Sequence, residues 1–526
     1  MNYVGTARPI HDAKGKATGY SKYAGDISLS NMAYLCMLHS KIPHGYVKAV
    51  HAEKALALPG VYGVYHCLNT SERKYNRYRS SFDQAYLANE ERAFNQYVRF
   101  VGDKIGAVAA CDQETAEKAA RLVEVEYEEL SFSIGFDDTL AGKNCLDGET
   151  PVRDEYELDV GEKQGSAEGL IEVCSTMELP RLHHATMETH ACIADYDPYS
   201  DMLTVYCPNQ AVHGIRTVLA DFLEMPESHV RVVKATMGGS FGAKQEWFLE
   251  PVTALVAKKL CRPVKLVYSR GEAMTDTIVR GAMRMSARGY YTPDGEMKEI
   301  YCDVTLDAGA YIGNAGDYVR ALAGKPTRCY RIPYMHYHGQ VISSNSPVSG
   351  AFRSWSAAEE ALMMERQLDA AAEKLGMDRL AIRLKNVARS GEEDKKLHLS
   401  LEDIRIGDAI TLGSEKFGWD KLKAEDAAFN ASQQRYRRGV GIGIGGHGNT
   451  YFPRFNDYGE GSISLNADGS MQANFTLHDH GCGTVTAMRM IAAEVLKVPE
   501  DKIYMTEGDT AVTPIDYGCF ASRTTY

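Results

Sequence analysis

Met237-Gly238-Gly239-Ser240-Phe241-Gly242-Ala243-Lys244-Gln245 carries the sharpest local signal in the chain. It follows an apolar, valine-rich run at residues 230–233, which predicts a strand, and precedes a segment where Pro251 suits the first turn of a helix. Glycines at a strand-to-helix junction let the backbone approach a ligand closely, and free amide groups there can hold oxyanions. A tight turn uses the same glycines, so the stretch establishes an α/β crossover and leaves its occupant open.

Working outward, Leu223-Glu-Met-Pro226-Glu-Ser-His-Val230-Arg-Val232 resembles Leu496-Lys-Val-Pro499-Glu-Asp-Lys-Ile503-Tyr-Met505. Each copy ends a helix and opens a strand, because proline lacks an N–H and biases the residue before it away from the helical region. A duplicated strand–loop–helix–strand layout is therefore expected, although two such matches also arise by chance. Nearer the N-terminus, residues 104–111 read as a strand, 113–122 as a helix and 123–127 as a second strand. The expected fold is mixed α/β (α+β): an α/β unit over 1–140, a Gly- and acid-rich linker at 141–167, a domain over 168–405 and another over 430–526.

The bulk numbers fit several soluble domains: 526 residues, 44% hydrophobic and 24% charged. A net charge of -12 argues against a nucleic-acid surface, which needs clustered Lys and Arg. No apolar run reaches membrane-spanning length and residues 1–19 lack a signal-peptide core, so no membrane partner and a cytoplasmic location are expected. The 12 cysteines include no Cys-x-x-Cys pair, which excludes a zinc-ribbon or iron–sulfur signature on this chain.

Gly441-Ile-Gly443-Ile-Gly445-Gly446 matches a dinucleotide-binding pattern but fails its context, since Pro453 follows instead of a helix; it reads as a glycine-rich strand. His183, His184 and His190, and His478 with His480, lack zinc-helix spacing, so no side chain is assigned to a metal. Ala351-Phe352-Arg353-Ser354-Trp355-Ser356 leads into an apolar stripe of Ala361, Met364, Leu368, Ala371 and Leu375, closed by Gly376. Ser356 and Glu359 suit a capping box. Arg353 and Trp355 could meet a planar ligand there, or cap carbonyls and fill a core.

In order along the chain, these segments resemble the xanthine dehydrogenase and aldehyde oxidase family of molybdenum hydroxylases. Val101-Gly-Asp-Lys-Ile-Gly-Ala-Val-Ala-Ala with Glu117-Lys-Ala-Ala-Arg-Leu-Val-Glu-Val-Glu-Tyr resembles its hammerhead domain. Met187-Glu188-Thr189-His190 is similar to its Leu-Glu-Thr-His, the Gly238 loop to its Gly-Gly-Gly-Phe-Gly-Gly-Lys, and Ala351-Phe352-Arg353 to its Ala-Phe-Arg-Gly-Phe-Gly. Asp479-His480-Gly481-Cys482-Gly483 falls where the family has Glu-Met-Gly-Gln-Gly, and Ala521-Ser522-Arg523-Thr524 resembles its last pterin loop.

The resemblance implies a hammerhead domain followed by molybdopterin-binding domains, and a molybdenum held by a pterin dithiolene, in plain or cytosine dinucleotide form. It implies cofactor contacts from Gly239, Ser240, Phe241, Gly242, Arg353, His480, Gly481, Cys482, Ala521, Ser522, Arg523 and Thr524. Gln245, Arg320, Arg353 and Trp355 are the implied catalytic and substrate residues, with Arg320 stabilising charge on a purine or related small N-heterocycle. Hydroxylation with oxygen from water, and electron flow to 2Fe-2S and FAD centres on partner subunits, complete the implied activity.

Leu182 and Cys482 stand where the family has glutamines, and residues 354–359 lose its Gly-Pro-Gln. Two alternatives follow: a hydroxylase or reductase of another aromatic, such as nicotinate or a hydroxybenzoyl thioester, and a non-catalytic homologue acting in assembly. The family's catalytic glutamate, in a Gly-Glu-Pro-like loop, has no match up to Tyr526. A second molybdopterin-domain chain carrying that glutamate is the expected partner, beside the 2Fe-2S and FAD-binding subunits.

Overall fold

The run Lys104–Ala110, apolar after its first residue, lies one place in from an edge of the largest sheet, and every residue in it is buried. A strand covered on both faces loses the alternation of a half-exposed one. The structure is a computed structural model that describes residues 3–78, 89–146, 150–163, 165, 168–432, 435–449 and 457–525. Seven strands form this sheet, in the order Val230–Lys234, Met202–Cys207, Ala191–Asp197, Val264–Val267, Ala33–His39, Lys104–Ala110 and Val61–His66. Helix Gln113–Ala120 follows the Lys104–Ala110 strand, capped by the Asp112 side chain on the Thr115 N–H.

The largest sheet crosses the expected boundary at residue 140. Ala33–His39 pairs in parallel with Val264–Val267, with Ala33 opposite Val264, so the N-terminal unit and the following domain share one sheet. The predicted linker also needs correction, because Val152–Gly161 is a ten-residue edge strand paired antiparallel with Tyr334–Ser343. Its inward Tyr156, Leu158 and Val160 alternate with acidic residues, and that edge-strand charge hides the period in the composition. This second sheet runs Ile171–Leu179, Ala282–Tyr291, Met297–Gly309, Tyr334–Ser343, Val152–Gly161.

Helix Ala357–Leu375 lies on the second sheet, burying Met364, Leu368 and Ala371, and ends on left-handed Gly376 as expected. The capping box does not form. Ser356 has φ 57° and makes no side-chain cap, while Glu359 turns to the Arg280 guanidinium. The glycine-rich segment at 440–449 makes no ladder either. Ile442 and Ile444 pack on the core beneath this helix, so their alternation reflects one-sided packing rather than strand pairing. Pro453, Tyr526 and residues 147–149, 164 and 166–167 of the predicted linker lie outside the described residues.

The repeat is present. Helix Val212–Leu223 ends at Glu224 with φ 54° and helix Thr484–Leu496 at Lys497 with φ 57°. Pro226 and Pro499, both at φ -60°, then open one 3-10 turn and one strand each. In both copies the strand before the helix pairs in parallel with the strand after it, Met202–Cys207 with Val230–Lys234 and Met471–Phe475 with Ile503–Thr506. The copies meet edge to edge: the Lys234 N–H donates to the Gly508 carbonyl at 2.8 Å, and Arg231 pairs with Asp509.

Candidate functional site

The Gly238 loop is built so that its amides face away from its own protein. The Ser240 hydroxyl turns inward, donating to Gln210 Oε1 and accepting from the Lys244 N–H at 3.2 Å. Lys244 is buried against Glu188, with Nζ 2.6 Å from the carboxylate, and the same carboxylate accepts from the Gly238 N–H at 2.7 Å. Burial lowers the Lys244 pKa and Glu188 opposes that shift. With these ties made, the N–H groups of Gly239, Ser240, Phe241 and Gly242 find no acceptor among the described residues. Phe241 adopts φ 54° and Gly242 φ 102°; a Cβ on Gly242 would stand 2.6 Å from the Ala351 carbonyl oxygen. Only glycine permits that approach.

The Ala351 segment lies against this loop. The Arg353 N–H donates to the Phe241 carbonyl at 2.7 Å, and the Arg353 carbonyl accepts from Arg280, whose guanidinium sits 4.3 Å over the Phe352 ring. The Arg353 side chain itself is exposed and has no partner among the described residues. Trp355 packs beside Tyr318, with ring centroids 5.9 Å apart, and edge-on to Tyr78 at 6.3 Å. Among the described residues Trp355 Nε1 and Gln245 Oε1 are buried without a hydrogen-bond partner.

Two histidines hold these loops. His184 Nε2 lies 2.8 Å from the Ala351 carbonyl and His190 Nε2 lies 3.0 Å from the Ala243 carbonyl. Burial pushes them down to about 4 and about 3, so each is neutral and donates from Nε2. Their place in the sequence is explained by carbonyl support.

Gln210, which the sequence reading missed, joins the two halves of the site. Its N–H donates to the Lys244 carbonyl and its carbonyl accepts from the Cys519 N–H, both at 2.8 Å, while Nε2 donates to the Cys519 carbonyl. Cys519 Sγ stands 3.8 Å from His480 Nδ1, which brings in the third loop. There Asp479 accepts from the N–H groups of Gly481, Gly483 and Val485. Those bonds hold its carboxyl below the usual range although burial pushes the other way. Cys482 is exposed, with Sγ 2.8 Å from Thr484 Oγ1. The N–H groups of Cys482, Ala521, Ser522 and Thr524 have no acceptor among the described residues.

Two expected site residues are placed differently. Arg320 makes a two-bond ion pair with Asp154, at 2.5 and 2.8 Å. Tyr318 on the same helix faces Trp355, and residues two apart on a helix point to nearly opposite sides. The acidic partner sits on the edge strand that composition had made a linker. Arg523 is buried between Asp516 and Asp457 and also donates to the Tyr458 and Gly518 carbonyls, so its guanidinium braces the last loop instead of facing a ligand.

The comparisons agree with this geometry. A profile described as the aldehyde oxidase and xanthine dehydrogenase a/b hammerhead domain matches residues 18–131, and profiles described as molybdopterin cofactor-binding domains match 152–387 and 412–526. The xanthine dehydrogenase molybdenum-binding subunit of Escherichia coli O157:H7 is 30% identical over 540 residues, covering 98% of this chain and 69% of that one. A probable xanthine dehydrogenase chain of Bacillus subtilis is 32% identical over 535 residues, covering 100% and 68%. The structure of quinoline 2-oxidoreductase from Pseudomonas putida 86 superposes with a TM-score of 0.89 at 23% identity, over 99% of this chain and 68% of that one. Other relatives are named as carbon monoxide and nicotinate dehydrogenases, so the shared fold serves several substrates. The chain belongs to the xanthine dehydrogenase and aldehyde oxidase family of molybdenum oxidoreductases, and it comprises the hammerhead domain and molybdopterin-binding domains of that family's molybdenum-binding subunit.

Proposed function

We propose that this chain oxidises a planar N-heterocycle, a purine or a close relative, with the Gly238, Asp479 and Ala521 loops holding the pterin. The observation that carries the reading is the set of groups around these loops that have no partner among the described residues: the amides of residues 239–242, 482, 521, 522 and 524, and the Arg353 guanidinium beside Phe241. Amide donors and a cation suit the oxygens of a molybdopterin and its phosphate. When bound, the group takes two electrons from the substrate and supplies the oxidising power.

The protein's own residues set the substrate class. Trp355 and Tyr318 form an aromatic wall, and Trp355 Nε1 and Gln245 Oε1 offer one donor and one acceptor without a partner among the described residues. A heterocycle edge carries both kinds of partner, whereas an aliphatic aldehyde does not. With Arg320 held by Asp154, Arg353 is the guanidinium placed to meet charge developing on the ring.

Electrons leave through 2Fe-2S and FAD centres on partner subunits, since this sequence has no iron–sulfur signature. The uncovered edge strand Gly461–Leu465, with Ile463 42% and Leu465 69% exposed, takes a further polypeptide bearing the catalytic glutamate, in whichever chain that segment lies. Free thiols throughout agree with a reducing, cytoplasmic setting. No helix among the described residues is long and apolar enough to cross a membrane.

A substrate panel on the purified complex tests the reading, paired with molybdenum and pterin analysis. Trp355→Ala should raise KM for a purine about tenfold with little change in kcat. An unchanged KM, or a preference for aliphatic aldehydes, would defeat the heterocycle assignment, and a complete complex without molybdenum would defeat the catalytic one.

A further inference from the structure

Trp355 sits on a segment that its own backbone would not choose. Ser354 has φ 76° and Ser356 φ 57°, a left-handed region that L-residues occupy only when their surroundings hold them there. The expected cap at Ser356 is missing, so something else must hold this turn. Lys325 does so from the neighbouring element: its ammonium donates to the Trp355 carbonyl and, at 2.6 Å, to Ser356 Oγ. No other side chain bridges the two residues among the described hydrogen bonds.

We infer that Lys325 is a positioning residue for the substrate slot, holding Trp355 against Tyr318 while its ammonium is charged and releasing it when the charge is lost. The inference rests on Trp355 being the slot wall, as proposed above. Lys325 acts through Trp355 and touches no substrate itself.

The surroundings make this charge easy to lose. Burial pushes Lys325 down to about 8; Glu360, on helix Ala357–Leu375, opposes this, while Arg328 and Lys396 reinforce it. Glu360 is itself pushed up to about 8 by burial, and one of its oxygens lacks a partner among the described residues. His447, on the glycine-rich segment, feels the same cations and is held below its ordinary value mainly by burial. Three cations therefore share one buried carboxyl and Asp394, which is already engaged by Arg328. An amine in such company gives up its proton well below the range of a solvated lysine. The neutral amine keeps two hydrogens but loses the charge-assisted strength that holds two strained residues.

The test uses the holoenzyme complex with 5-fluorotryptophan incorporated at the three tryptophans of this chain. The Trp355 fluorine resonance is identified by its absence in Trp355→Phe. In the parent it should shift with a midpoint near pH 8, and KM for a planar heterocycle should rise several-fold from pH 7 to pH 9 with kcat nearly constant. Lys325→Met should show the alkaline chemical shift and raised KM at every pH. Lys325→Arg should keep the neutral-pH values throughout, because its guanidinium stays charged. An unchanged step in Lys325→Met would overturn the inference, since another group would then be responsible. If the resonance behaves as expected and KM does not follow, Lys325 still positions Trp355 and the slot-wall reading is what fails.

Discussion

The two copies of the strand–loop–helix–strand unit follow nearly the same path and have opposite environments. Helix Val212–Leu223 buries eight residues between the seven-stranded sheet and helix Glu250–Leu260, whereas Thr484–Leu496 buries only Thr484, Val485, Ala492 and Ala493. Strand Ala191–Asp197, beside Met202–Cys207, is buried over its first four residues; its counterpart in the other copy, Gly461–Leu465, is exposed along its whole length. The left-handed cap, the proline and the parallel register are thus local properties that the sequence repeats. Burial depends on what lies over the unit, and that is not written in the motif.

The largest test of this contrast is Phe222→Ala in the buried copy. Phe222 is 4% exposed and stacks edge-on with Tyr75 at 5.6 Å. Its truncation should cost about 3–5 kcal/mol, read as a fall in chemical-denaturation midpoint. A loss below about 1 kcal/mol would mean that this copy is far less tightly packed than its burial indicates. Gln210→Ala should have the next largest effect, about 1–3 kcal/mol, because it leaves the buried Ser240 hydroxyl and the Cys519 carbonyl without their partner. Since Gln210 ties one copy to the other, hydrogen exchange should quicken at residues 476–525 and stay slow at 202–234. Uniform quickening in both would show that Gln210 supports the first copy alone.

What could be read from the sequence was local. The Gly238 loop, the helix stop at Gly376 and both proline turns each lie within ten residues of the signals that announce them. Gln210 was invisible by the same logic: its side-chain partners are 30 and 309 residues away. The repeat held a clue, because Gln210 occupies the loop that corresponds to His478 and Asp479 in the other copy. Arg320 was misplaced because its partner, Asp154, lies on a strand whose charged outer face made it resemble a linker. Edge strands carry such charge to avoid unwanted pairing, so composition alone underestimates them. The inward histidines His184 and His190 show the converse, since a polar residue next to a glycine loop can serve the backbone instead of the ligand.

The smallest expected effect is the most discriminating. Val495 occupies the position of Phe222 in the exposed copy and is 72% exposed. In this chain by itself, Val495→Ala should change stability by less than about 0.5 kcal/mol, as surface substitutions do. If a further polypeptide covers this face in the native complex, the same substitution removes two buried methyl groups there and should cost about 1.5 kcal/mol. Denaturation of the chain and of the complex, each with and without the substitution, gives the difference directly. A cost near zero in both would mean that the second copy remains open to solvent in the assembly, and the contrast between the copies would then belong to the working enzyme itself.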